Sequence, residues 1–538
     1  MKLKILPLIA TVLCMYSCVK IDNGIARNLV PSDQEYDLKI FEFDLEDVKL
    51  KVADSLSGYS TRHITFGSIR DAENRLYSRY SAVTLVPFFD TLDFGQNTKL
   101  KRFYFTMPID TVSFAESSQA KMLQNVNIFE LTEPISISDG NFVPKHGTTR
   151  VSHGVPVYNG GDSLTFDFSE AFAEKYMGIR QEDLKDMKTY LKRFPGIFFS
   201  VDKPMGQGGR FNMFSVQADV DGNNYAITGS YANLEFTADY GGKTKDTSFI
   251  FLFGLDRFYD MDSLLTHSTI GVLPQYAFNA TVEPDAKQIT EVIPIEGGGS
   301  PKPVFSAAEI KQKLIAEISQ YGDYTKSFIH KAELIMPFEF PKDFNDMDYY
   351  PEILNPTCRI DLDSLVNFAS ITNSSLSTED MGYLNRSTCQ YAPGLSYHIQ
   401  SILRTTEKDK ISNYDIWMMI MKKETYKTST VTTEDDWDNY YQSLMYANYY
   451  NGMYNGYGGY GYGGYGGYGG YGYGGYGGYG YSNYLSYSMA SSLMSNNAQT
   501  QSALILDTGR YYKATINSPL APEGKRPHLR VVYSVPKE

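Results

Sequence analysis

The residue types that usually carry chemistry are scarce in this chain. Seven histidines and four cysteines in 538 residues leave few general bases, nucleophiles or transition-metal ligands. One string, Gly161-Asp162-Ser163-Leu164, spells the nucleophile block of a group of hydrolases. Such a serine must sit where a strand enters a helix, with a downstream Asp-x-x-His supplying the base. Here an alternating strand pattern follows the serine and no Asp-x-x-His occurs, so the catalytic reading is rejected. Nucleophile elbow, His-Glu-x-x-His, Cys-x-x-Cys, P-loop and dinucleotide fingerprints are also missing. Two acidic groups, Asp219/Asp221/Asn223 and Asp343/Asn345/Asp346/Asp348, offer oxygen ligands for calcium. Gly222 comes too early in the first for an EF-hand loop, and the second has no glycine where the loop needs one. Both read as solvated turns. The expectation is a non-enzyme with no cofactor and no metal.

The N-terminus points to export. Lys2 and Lys4 precede an apolar run from Ile5 to Met15, the charged and short apolar regions of a secretory signal, too short to span a bilayer. Ser17-Cys18 then places a small residue before a cysteine, as in the lipobox of bacterial lipoproteins. Residues 1–17 are therefore expected to be a signal peptide and Cys18 the lipidated residue; Cys14, inside the apolar run, is the poorer candidate. Acyl chains contribute about 0.8 kcal/mol per buried CH₂, so several of them hold a soluble body on a membrane without a spanning helix. Residues 18–35 read as a polar tether. The expected location is the cell envelope, at the outer membrane. Asp22 alone is acidic in the stretch after the cysteine, which leaves periplasmic leaflet and cell surface both open.

Charge removes other partners. A formal net charge of -13 with no basic run lacks the electrostatics of nucleic-acid binding, and beyond the N-terminus no 18-residue apolar stretch could cross a bilayer. Cys358 and Cys389 remain in the mature chain. They are either a disulfide closing a loop of about thirty residues, worth roughly 3 kcal/mol, or two buried free thiols.

Most apolar segments from residue 36 onward alternate. Leu164, Phe166 and Phe168, and Leu529, Val531, Tyr533 and Val535, predict half-buried strands, whereas Phe249 to Phe253 is apolar on both sides, as in a covered central strand. Asp221 to Asn224, Tyr158 to Gly161 and Tyr240 to Gly242 supply turn chemistry. A recurrent Asp-Ser/Thr-Leu/Val step, Asp54, Asp90, Asp110, Asp162, Asp262 and Asp363 leading, reads as local backbone bonding where the chain turns into a strand. Ser169 to Arg193 predicts a helix interrupted near Gly178, and Ser306 to Glu309 a capping box opening another. The fold class expected is mainly β: two β-sandwich, jelly-roll-like domains with a few connecting helices. The domains are 36–295 and 305–538, joined by a Gly/Pro-rich linker at 296–304. Phe103 to Pro108 and Ala332 to Pro337 both end in Met-Pro, a faint echo between the two.

The second domain carries an insertion at 446–487 made almost wholly of Gly and Tyr between residues 456 and 481. Glycine-rich chain is costly to order, so a disordered, aromatic-studded loop is expected. Tyr457 and Tyr460 begin the tract, and Trp437 and Tyr440 precede it among acidic residues; these four are the candidate ligand contacts. Trp417, in a strand-like run, reads as core.

Asp54-Ser55-Leu56, Gly67-Ser68, the segment Tyr77 to Pro87 and the lipobox-like Cys18 resemble the domain-of-unknown-function 4270 (DUF4270) family of Bacteroidota lipoproteins. So do the Asn28-Leu29-Val30-Pro31 tether and the runs Phe328 to Leu334 and Leu529 to Tyr533. The resemblance spans nearly the whole chain and implies an exported, β-rich lipoprotein, without a catalytic or binding residue to carry over. The Gly/Tyr tract departs from the family pattern. Two functions follow as expectations: a lipid-anchored binding, adhesion or envelope-organising protein, its partners the membrane and another envelope protein, or a glycan-associated lipoprotein, binding or acting on polysaccharide.

Overall fold

A computed structural model describes residues 36–136, 142–221, 226–255, 258, 272–273, 275–285, 287–362, 365–374, 379–406, 408–427 and 500–536. The expectations at Cys18, Trp437, Tyr440, Tyr457 and Tyr460, at residues 1–35 and over the insertion 446–487 lie outside the described residues. The described chain is mainly β, in two lobes.

The N-terminal lobe is a sheet folded over on itself. Its strand order runs 124–131, 197–201, 76–83, 63–70, 208–215, 96–114, 231–240, 243–253, 85–87. The strand Gln96–Phe114 makes the corner: residues 109 and 111–114 pair with 210–214, with a bulge at Asp110, and residues 96–106 pair with Tyr231–Tyr240. A second corner lies at Thr84, because Leu76–Val83 belongs to one layer and Leu85–Pro87 pairs with Lys243–Phe253 in the other. Alternating aromatics fill the space between. Phe105 stacks on Phe253 in its own layer at 4.5 Å and meets Phe199 of the facing layer at 5.4 Å. Buried aromatic pairs of this kind add about 0.5–1.5 kcal/mol beyond area burial. The interrupted helix forms as its sequence suggests. Glu170–Met177 starts with Ser169 accepting from the Phe172 N–H and stops at Gly178, and Met187–Arg193 is capped by Asp186.

The C-terminal lobe corrects the expected domain boundaries. Tyr36–Asp44 does not join the sandwich that follows it; it pairs with His528–Pro536 along its whole length. Val48–Lys51 likewise pairs with Lys302–Phe305. The first lobe is thus built by residues 59–282, and the second by 36–51 together with 292–536. Two sheets share its core: 36–44, 528–536 and 328–337 in one, and 48–51, 302–305, 416–427, 353–362 and 365–370 in the other. The helices Ala307–Ile318 and Ser396–Arg404 place Ile310, Leu314, Ile399 and Ile402 in the same apolar cluster as Leu334, Val531, Met418 and Ile420. The capping box at 306–309 closes on one side only: Ser306 Oγ accepts from the Glu309 N–H. The Glu309 carboxylate turns instead to the N–H groups of Glu46 and Asp47, at 2.8 Å each, and ties the N-terminal segment to this helix.

The linker reading of 296–304 is also overturned. Glu296, Gly297, Gly298 and Ser300 are buried, and Lys302–Phe305 is a strand. This Gly-rich stretch is a packed turn at the seam between the lobes, where glycine serves close approach rather than freedom.

Candidate functional site

The strand His63–Arg70 is buried on both faces, and its two faces have different partners. Ile64 and Phe66 point into the aromatic core of the first lobe, while Ile69 joins Tyr77, Phe211 and the second lobe's Tyr511 in a separate cluster. Around that cluster the seam is held by buried charge. Arg75 makes a two-pronged contact with Glu296, 2.5 and 3.1 Å, and Tyr77 OH donates to the same carboxylate at 3.2 Å. Arg79 lies 2.5 Å from Glu283. Lys302 donates to the Glu296 carbonyl at 2.6 Å, and burial pulls its ammonium down to about 8. Paired, hydrogen-bonded charges of this kind fix orientation more than they add stability.

Beside the seam opens a cleft of about 1390 Å³. One wall is the long strand of the first lobe, through Thr111, Ser113 and Phe114, with Ser117 beyond it. The other belongs to the second lobe and carries tyrosines 349, 350, 383, 511 and 512. It also carries carboxylates 333, 348, 352 and 379, opposed by Arg386, Lys422 and Arg510. Two hydrogen bonds lock the walls together: Tyr349 OH donates to the Ala115 carbonyl at 2.6 Å, and the Tyr511 N–H to Ser113 Oγ at 2.9 Å. Behind the second wall, Asp507 accepts from Tyr512 OH at 2.6 Å and from the Arg510 N–H at 3.2 Å. Burial pushes its carboxyl up, but Lys422, Arg510 and these hydrogen bonds outweigh burial and hold it below the ordinary value.

Beside the cleft-lining Thr111 and Lys422, three side chains meet from three strands. His63 Nε2 lies 3.0 Å from Asp110 Oδ2 and 3.4 Å from Glu424 Oε1, and Lys422 Nζ lies 3.2 Å from the same Glu424 oxygen. The hydrogen bond from His63 lowers the Asp110 carboxyl against the raising effect of its partial burial.

Among the residues singled out from sequence, Cys358 and Cys389 are free thiols, so the disulfide alternative is corrected. Cys358 points from its strand into the core, its Sγ 3.8 Å from His398 Nε2, whereas Cys389 sits on a turn with its Sγ 3.7 Å from the Arg386 carbonyl. The Cys358–His398 pair is not an activated nucleophile. Burial raises the thiol and pulls the imidazole down to about 4, which favours two neutral groups over a thiolate and an imidazolium. Trp417 is buried against Phe368, as expected of core. Ser163 begins the strand Ser163–Asp167, so it stands at the start of a strand and not at the turn from a strand into a helix that a nucleophile needs. Asp343 accepts from the Asn345 N–H and so caps a turn.

His63, Glu424 and the 507–512 segment were not anticipated from sequence. By its sequence Asp110 reads as one of the Asp-Ser/Thr-Leu/Val steps of turn chemistry; it lies inside the long strand instead. A usable signal was Asp507-Thr508-Gly509-Arg510-Tyr511-Tyr512, a dense run of charge and aromatics directly after a strand. The strands flanking the insertion pair with each other, Lys427 opposite Thr500, so the Gly/Tyr tract connects the two arms of a hairpin whose base, at Lys422, lines the cleft. Among the described residues, no helix is long and apolar enough to cross a membrane. No family model, curated protein or solved structure matches the chain.

Proposed function

We propose that this chain is an exported, lipid-anchored cell-envelope protein, held by an acylated Cys18, whose cleft between two β-rich lobes binds a polar ligand without transforming it. The DUF4270 resemblance and the lipobox-like N-terminus support the anchoring. The observation that carries the binding reading is the asymmetry of the cleft. Its carboxylates, at 333, 348, 352 and 379, all stand on the second lobe's wall, while the opposite wall offers hydroxyls from Thr111, Ser113 and Ser117. Acid and base work on a glycoside needs two carboxylates flanking the scissile bond, and these walls do not oppose a pair. Tyrosine rings beside hydroxyls and charges of both signs suit recognition: rings stack, and polar groups orient.

The same lining favours a glycan as the ligand class, which keeps the polysaccharide-binding alternative as the second reading. Titration calorimetry of the purified chain against solubilised envelope polysaccharides tests it. Saturable binding that falls about tenfold in Tyr383→Ala, a loss of roughly 1.4 kcal/mol, is the expected result. Binding undiminished in that variant, or no binding, would overturn the cleft reading. Anchoring is tested separately, by whether Cys18→Ala moves the protein from the membrane fraction to the soluble one.

A further inference from the structure

Among the described residues, His63, Asp110 and Glu424 are the one group of three whose ligand atoms converge, all lying within 4.8 Å of one another. We propose that they form a site for a divalent transition metal of the zinc class, bridging the two lobes beside the cleft-lining Lys422. His63 and Asp110 belong to the first lobe and Glu424 to the second, so an ion held by all three would cross-link them.

The geometry suits a small ion. With metal–ligand bonds of about 2.0–2.2 Å in a tetrahedral arrangement, neighbouring ligand atoms lie roughly 3.3–3.5 Å apart. The His63 Nε2 separations of 3.0 and 3.4 Å need only small adjustments to match. Imidazole nitrogen with two carboxylate oxygens is a zinc-type donor set with a fourth position left for solvent. The histidine is pre-positioned: its N–H donates to Ser60 Oγ at 3.1 Å, and its carbonyl accepts from Asn279 Nδ2 at 2.9 Å. Its side chain is only 10 % exposed, whereas Asp110 is 52 % exposed and provides the way in from solvent.

A second observation comes from Glu424. Its Oε2 is buried with no hydrogen-bond partner, and a carboxylate oxygen withdrawn from water without a partner is costly. Oε1, which faces both His63 Nε2 and Lys422 Nζ, is the oxygen at ligand distance, and a small turn of the carboxylate brings the unpartnered Oε2 to the ion while Oε1 keeps the lysine. Asp110 and Glu424 carry two negative charges against one from Lys422, with Arg510 paired to Asp507 nearby; a divalent cation is accommodated by that balance. The competing arrangement is an imidazole N–H shared between two carboxylates, and the two differ in what the protein captures.

The test uses the full mature chain, stripped with chelator and confirmed folded by circular dichroism. Cobalt(II) and zinc(II) are titrated into wild type, Asp110→Asn and Glu424→Gln. Both substitutions keep side-chain size, and Asp110 is half exposed, so folding should survive. The expected result is one equivalent of saturable binding, with visible Co(II) bands of a site of low coordination number that zinc displaces. Each variant should weaken binding about tenfold or more and lose the zinc-dependent rise in melting temperature. Absence of saturable binding in the folded wild type, or one equivalent bound with undiminished affinity in both variants, would overturn the site. Because the readout is metal occupancy, this outcome is distinguishable from failure of the cleft to bind a glycan.

Discussion

Gly298 gives the sharpest test of whether residues 296–304 are a seam or a spacer. Its φ is +61°, and a Cβ placed there would lie 1.9 Å from Glu283 Oε1 and 2.6 Å from Arg79 Nη2. Neither neighbour can easily retreat. Arg79 is 2 % exposed and stacked over Phe211 at 4.4 Å, and Glu283 Oε1 also accepts from the Gly299 N–H at 3.3 Å. Gly298→Ala therefore carries two costs. The left-handed backbone costs about 1–2 kcal/mol for a residue with a Cβ. Displacing one member of a buried ion pair costs roughly 3–5 kcal/mol when the other charge is left uncompensated. An internal control separates them. Gly241, in a hairpin turn, has φ +59° and nothing within 4 Å of a built Cβ, so Gly241→Ala reports the backbone cost alone. In urea unfolding of both variants, Gly298→Ala should lose about 3 kcal/mol or more beyond Gly241→Ala. Equal losses in the two variants would refute the argument and restore the linker.

Three further outcomes follow from buried groups. His398, pulled down to about 4 by burial, binds its proton in the unfolded chain near pH 6.5 but not in the folded one. Its contribution to stability is present above pH 6.5 and is lost as pH falls towards 4, by up to about 3 kcal/mol. His398→Asn should flatten the acid limb of the urea midpoint against pH, and an unchanged limb would count against a buried neutral imidazole. For the thiols, protein lacking residues 1–17 and carrying Cys18→Ala should show one slow and one faster thiol towards a soluble disulfide reagent, Cys358 reacting only on unfolding. Equal rates, or no free thiol, would contradict the buried Cys358 and its partly exposed counterpart. Tyr349→Phe removes the hydrogen bond from one lobe to the Ala115 carbonyl of the other and should cost about 1 kcal/mol; a loss of several would mean that the ring, rather than the hydroxyl, is what the variant disturbs.

Local patterns were legible where one physical cause acted. Leu164 and Phe166 alternate with exposed neighbours because that strand has one core face, and Ser169, Gly178 and Asp186 punctuate the helices through their own backbone chemistry. Non-local pairing was not legible. Nothing in Tyr36–Asp44 says that its partner lies almost five hundred residues away, because main-chain hydrogen bonds carry no partner identity and the alternation of Phe41 and Phe43 fits any sheet with a covered face. The expected boundary failed for the same reason, compounded by glycine. Gly297-Gly298-Gly299 reads as flexible when only local entropy is counted and as close-packed once Arg79 and Glu283 are set against it.

The candidate site was least legible because it is assembled from both lobes. Asp110-Thr111-Val112 carries the same letters as the Asp-Ser/Thr-Leu/Val steps that enter strands elsewhere, yet it falls within the long strand at a bulge, between Ile109 opposite Phe214 and Thr111 opposite Met213. The bulge re-aims its side chain, and the carboxylate goes to a neighbouring strand instead of to a turn of its own backbone. It reaches His63 of the parallel-lying neighbour two strands over, and through that imidazole Glu424 of the other lobe. An aspartate in a strand, away from any turn, answers to what lies across the sheet. Among the described steps, Asp110 is the one whose carboxylate meets a histidine, and that juxtaposition, invisible in spacing, is what turns a common local motif into a candidate ligand.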